Sequence, residues 1–174
     1  YYVPDVVRRE TELLLRQFLY NTDKLVTDTL GTAPVETITV DTSVDTTEPD
    51  VYEVTDAIDV ALDNISIYTP AKNLLLVSEN IKRMLFKKTP EAKRVPFDTL
   101  KENGVSVVQS NLITDTAYMI PLDDTVSTMI QVDPLHIKYT RDGNFDLACI
   151  FGREAIAYMV SQPEVIQKLD FTTK

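Results

Sequence analysis

Residues 1–31 read YYVPDVVRRETELLLRQFLYNTDKLVTDTLG, and their spacing predicts one long helix. Pro4 suits a first helical turn, where its missing N–H is not needed, and Asp5 complements the N-terminal dipole. Val7, Leu14, Phe18 and Leu25 then recur at helical spacing, flanked by Val6, Leu13, Leu15, Leu19 and Val26. The first glycine, Gly31, is the expected C-terminal stop. About 26 residues at a rise of about 1.5 Å each make a helix of roughly 40 Å, longer than a small domain usually holds. The apolar stripe is wider than a strict a/d seam, so the pattern is not a coiled coil. A face that broad exposes apolar surface for other chain segments or other subunits to cover, and weak self-association is expected.

Downstream of this helix the character changes. Residues 32–50 are rich in threonine, and Thr37-Ile38-Thr39-Val40 alternates as a short strand before a polar loop. Asp50 followed by Glu53 opens a second helix with Val51, Val54, Ile58, Ala61 and Leu62 on one face. A strand follows at Leu74–Val77, and Ser78 caps a third helix through Ile81, Met84 and Leu85. After the Asn103-Gly104 turn the chain reads as mostly strand: Val105–Val108, Ala117–Ile120, Val126–Val132 and Leu135–Thr140. Arg141-Asp-Gly-Asn144 reads as a hairpin turn. Phe145–Phe151 and Ala155–Val160 continue the sheet with a break near Gly152, and Pro163–Leu169 reads as a short terminal helix. Helices early and strands late give an α+β chain, with no internal repeat.

The composition is that of a folded, soluble and intracellular protein. The chain has 174 residues, 44% of them hydrophobic and 25% charged, which excludes wholesale disorder. Its longest apolar run, Ala155–Val160, is far shorter than a membrane span. One cysteine, Cys149, excludes a disulfide framework and any paired-cysteine zinc site; its neighbours Ala148 and Ile150 predict a small core residue. One histidine, His136, excludes most histidine-based metal and triad chemistry, and reads as a half-exposed strand residue.

Catalytic signatures are missing. Four scattered glycines build neither a phosphate loop nor a dinucleotide fingerprint, and HExxH, HRD and GxSxG do not occur. Asp123-Asp124 reads as an exposed turn, which leaves an unmotifed carboxylate pair as the only enzymatic reading. Asp56, Asp59 and Asp63 share a helical face but lack the glycine-centred pattern of a calcium loop. No cofactor, metal or catalytic residue is therefore assigned.

Charge is the informative feature. The net charge is −10, and it lies wholly between residues 25 and 71, which hold ten acids and no Lys or Arg. Such a balance argues against general binding of nucleic acid or anionic membranes. A basic cluster follows the acidic stretch: Lys82, Arg83, Lys87, Lys88, Lys93 and Arg94. Solvated surface charge is one reading of both runs. The sharper one is a head-to-tail contact in which Asp50, Asp56, Asp59 and Asp63 of one subunit meet that cluster on the next. Nucleic-acid binding by the cluster is a weaker reading, because only Phe86 and Phe97 could stack there.

The order of elements resembles the C-terminal two-thirds of tailed-phage major capsid proteins, the Hong Kong 97-like fold. The segments that carry it are Thr99-Leu-Lys-Glu-Asn-Gly-Val-Ser-Val-Val-Gln-Ser-Asn111, Thr116-Ala-Tyr-Met-Ile120, Asn144-Phe-Asp-Leu-Ala-Cys-Ile-Phe-Gly-Arg-Glu-Ala-Ile-Ala-Tyr158 and Gln162-Pro-Glu-Val165. The resemblance implies a spine helix at 1–31, a mainly axial domain at 32–130, and strands returning through a peripheral domain with a terminal helix at 131–174. It implies a structural role: identical subunits in pentameric and hexameric rings, closed into an icosahedral shell around DNA, assembled in the host cytoplasm and found in the virion. The abrupt start at Tyr1 fits a trimmed product lacking the family's N-terminal arm and extended loop, and such a fragment is expected to be monomeric alone. Two alternatives stay open: an encapsulin-type compartment shell, and a small acidic protein-binding module.

Overall fold

The computed structural model describes residues 3–40, 51–66, 72–87, 95–142 and 147–171. In chain order the elements are α1 (Val3–Thr32), β1 (Glu36–Thr39), α2 (Val51–Ser66), β2 (Asn73–Val77), α3 (Glu79–Leu85), α4 (Pro96–Glu102), β3 (Val105–Gln109), β4 (Thr116–Pro121), β5 (Ser127–Asp142), β6 (Leu147–Val160) and β7 (Gln167–Asp170). This is an α+β fold, as the sequence predicts. Two compact units divide it: residues 1–29 with 129–159, and residues 30–128 with 160–174.

In the first unit α1 lies against the two-stranded ribbon β5–β6. Val7, Leu14, Phe18 and Leu25 are withdrawn from solvent while Arg8, Arg9, Glu10 and Arg16 are exposed, which is the face that the periodicity predicts. The closest approach is at Gly152. A Cβ built there would fall 2.6 Å from Phe18 Cε2 and nearer still to Leu14 Cδ2, so the helix can come this close only because the position is a glycine.

The second unit is built on a five-stranded sheet in the order β1-β7-β4-β2-β3. The outer pairs β1–β7 and β2–β3 are parallel, and β4 runs antiparallel to both of its neighbours. β2 and β4 read as nearly continuous apolar runs because both faces of the sheet are covered there. Leu75, Val77, Ala117, Met119 and Leu169 are buried with the apolar faces of α2, α3 and α4. Leu76, Tyr118 and Ile120 alternate to the other face and are buried too. Burial pushes the Tyr118 hydroxyl above its usual range, helped by the Asp170 carboxylate. Ser78 accepts from Ile81 N and caps α3, and Gly104, at φ 77, supplies the left-handed turn between α4 and β3.

Gln167, like Ser78 and Ser110, is a polar side chain buried in this unit. It is 2% exposed and pairs across the sheet with Met119 and Glu36. Its Oε1 accepts from Asn64 Nδ2 at 3.0 Å and its Nε2 donates to Glu36 Oε2 at 3.0 Å, so the amide joins α2, β7 and β1. Replacing it with alanine removes both bonds and leaves a gap beside Met119. Gln167→Ala is expected to cost about 1–3 kcal/mol in chemical denaturation, and a change under about 0.5 kcal/mol would show that water replaces the amide.

Five expectations are corrected. The terminal helix at Pro163–Leu169 is a single 3-10 turn, Pro163–Val165, followed by β7. The two strands expected either side of Asp133-Pro134 are one strand, β5, and β6 passes Gly152 without a break. α1 continues through Gly31 to Thr32. Cys149 is exposed, not a core residue. The helix α4, opened by Pro96 at its first turn, adds an element that the apolar pattern did not show. Residues Gly143 and Asn144 of the expected hairpin turn lie outside the described residues.

Candidate assembly surfaces

α2 has two opposed faces. Val54, Ala57, Ile58, Ala61 and Ile65 are buried, whereas Asp56, Asp59 and Asp63 project on the exposed side with Tyr52. The helix carries no Lys or Arg. Asp59 takes up a proton more readily than an ordinary carboxyl, first through partial loss of hydration and then through the Asp56 and Asp63 charges. A carboxyl raised in the folded state is a cost while it is ionised, and that cost disappears once pH falls below the ordinary carboxylate range of about 4. Asp59→Asn is therefore expected to raise the melting temperature at neutral pH, with the gain vanishing near pH 3. A variant less stable than wild type at pH 7 would contradict this.

The basic residues lie on and just after α3. Lys82 and Arg83 occupy its last turn, where they complement the C-terminal dipole, and Lys87 follows the capping residue Phe86. Arg83 is engaged with Glu79 one turn earlier. Lys82 and Lys87 form no ion pair with another described residue, and neither do Asp56, Asp59 and Asp63. Among the described residues the acidic and basic sets are thus not neutralised against each other. Asp50, Lys88, Lys93 and Arg94 lie outside the described residues.

Chemistry-bearing groups elsewhere are dispersed. His136 is exposed, 3.3 Å from Asp133, whose carboxylate also takes Arg153 from β6 at 2.7 Å. Asp123 accepts from Thr125 N and Oγ1, which holds its carboxyl below the usual range and marks a turn. Among the described residues no group of three His, Cys, Asp or Glu is arranged to hold a metal, and no helix is long and apolar enough to cross a membrane. A polar cleft of about 450 Å³ opens at the ends of β2 and β3, lined by Ser78, Glu79, Asn80, Ser110, Asn111 and Asp115 among others.

Exposed apolar surface is concentrated in the first unit. On α1 Val6, Leu13, Leu15, Leu19 and Tyr20 flank the packed stripe, with Leu19 71% exposed. The breadth of the sequence pattern predicts this. The ribbon adds Val132, Ile137, Tyr139, Phe151 and Met159, which strand alternation alone did not mark as uncovered.

No family model matches the chain. No curated protein matches it either. Solved structures do. A virus-like particle from Pyrococcus furiosus superposes with a TM-score of 0.69 at 16% identity, covering 87% of this chain and 63% of the other. A Mycobacterium phage Che8 structure gives 0.68 at 16% identity over 95% of this chain and 63% of its own. The capsid of cyanophage P-SCSP1u gives 0.66 at 11% identity, covering all of this chain and 67% of that one. The chain thus spans less than two thirds of the length of the first two. Its fold is that of phage major capsid proteins, as the element order implied.

Proposed function

We propose that the protein is a structural coat protein whose copies form rings that close into an icosahedral shell around DNA. The observation that carries this reading is the fold, which it holds in common with phage capsid structures along almost its full length. On this reading no active site is required and no chemical step is assigned. The first unit, α1 with the β5–β6 ribbon, is the peripheral part and the five-stranded unit is the axial part. The shell assembles in the host cytoplasm and is a virion component. DNA is enclosed rather than recognised by sequence, in keeping with a net charge of −10.

A compartment shell is the second reading, favoured by the likeness to a virus-like particle. The test is sedimentation and negative-stain microscopy of the complete reading frame, with nuclease-protected nucleic acid measured on any fast-sedimenting peak. Closed particles holding DNA support the virion reading. Closed particles holding protein support the compartment. Monomers at high concentration and at every salt leave the acidic binding module.

A further inference from the structure

We propose that the outward face of α2, bearing Asp56, Asp59 and Asp63, docks against Lys82 and Lys87 at the end of α3 on a second copy of the chain. This rests on the self-assembling reading above and names the surfaces through which it happens. Three observations carry it. The two patches have opposite sign, and each leaves its charges without an ion pair among the described residues. Both helices are anchored in one core, α2 through Ile58 and Ala61 and α3 through Ile81, Met84 and Leu85, so each patch is presented on a fixed support. Finally, the carboxylates span two turns of helix, roughly 10 Å at about 1.5 Å per residue, enough to meet two lysines at once.

The patches differ from each other, so the contact is head-to-tail: every copy offers α2 to one neighbour and α3 to the other. Such a contact closes a ring when the rotation allows and extends as a filament otherwise. Charges at the rim of an interface chiefly steer encounter and fix register, so the contribution is large at low salt and fades as the screening length shrinks.

The test uses the complete protein and reads assembly by sedimentation at low and high ionic strength. Reversing the basic patch with Lys82→Glu and Lys87→Glu is expected to raise the concentration needed for assembly about tenfold at low salt, and less at high salt. Reversing the acidic patch with Asp56→Lys, Asp59→Lys and Asp63→Lys is expected to do the same, and joining both sets in one chain to restore assembly. Asp59→Asn separates docking from folding, because it weakens assembly without lowering the melting temperature. Unchanged assembly of the reversed variants at every ionic strength, or failure of the combined chain to recover, overturns the proposal. Salt-sensitive rings that never close would instead overturn the shell reading and leave this contact standing. Wild-type chains that stay monomeric overturn both.

Discussion

Met119→Ala is expected to be among the most damaging single truncations in the chain, lowering stability by about 2–5 kcal/mol. Met119 lies on the central strand β4, opposite Leu75 on one side and Gln167 on the other, and is fully buried. Removing its thioether opens a void in the middle of the row that α2 covers. The neighbours cannot collapse into it, because Leu75 is fixed by pairing with Val107 on β3 and Gln167 by its two amide bonds. Leucine, close in volume, is expected to cost less than about 1.5 kcal/mol. Thermal unfolding followed by circular dichroism checks this: a shift of roughly 10 °C is expected for alanine, and one within about 2 °C would mean that the sheet is far more loosely packed than its burial implies.

Gly152→Val tests the other unit. Its side chain would enter the space held by Leu14 and Phe18 on α1, and overpacking of this kind costs about 1–3 kcal/mol. Alanine is expected to be milder, since the ends of Leu14 and Phe18 can swing aside. The informative comparison is Gly152→Ala with Leu14→Ala, in which the added methyl occupies part of the space vacated by the leucine. Amide hydrogen exchange along α1 reads the effect directly. Faster exchange in α1, with β2 and β4 unchanged, is expected for valine. Equal exchange across both units would show that the two unfold together and that Gly152 has no local role.

Much of this architecture was legible because the strongest signals are periodic. Thirty residues of α1 repeat one apolar stripe, and β2 and β4 are short apolar runs that only a covered sheet accommodates. The failures occur where pairing over long distance overrides a local cue. Pro163 and Glu164 look like a helix start, yet Gln167, Leu169 and Phe171 alternate, and pairing with β1 and β4 secures that segment as a strand. Pro134 looks like a strand break, but a two-stranded ribbon has an outer edge on which a missing N–H is tolerated. α4 is as short as α3 but lacks its cues: it buries Leu100 alone and has no side-chain cap, where α3 buries Ile81, Met84 and Leu85 behind Ser78. For the candidate surfaces, the sign and order of the charges were readable. The Glu79–Arg83 pair is an i,i+4 contact that the helix itself implies, whereas the lack of an ion pair at Lys82 and Lys87 among the described residues follows only from three-dimensional placement.

The division of the chain also bears on its synthesis. α1 is made ahead of the ribbon that covers its stripe, whose strand β5 begins at Ser127, about 100 residues later. At a translation rate of about 5–20 residues per second, Leu14 and Phe18 wait on the order of 5–20 s for their partners. The five-stranded unit is incomplete for longer, because β7, the neighbour of both β1 and β4, follows the other four strands of its sheet in the chain. A nascent chain therefore carries α1 as an uncovered amphipathic helix until the ribbon is made, and ribosome-associated chaperones have a well-defined segment to hold in that interval.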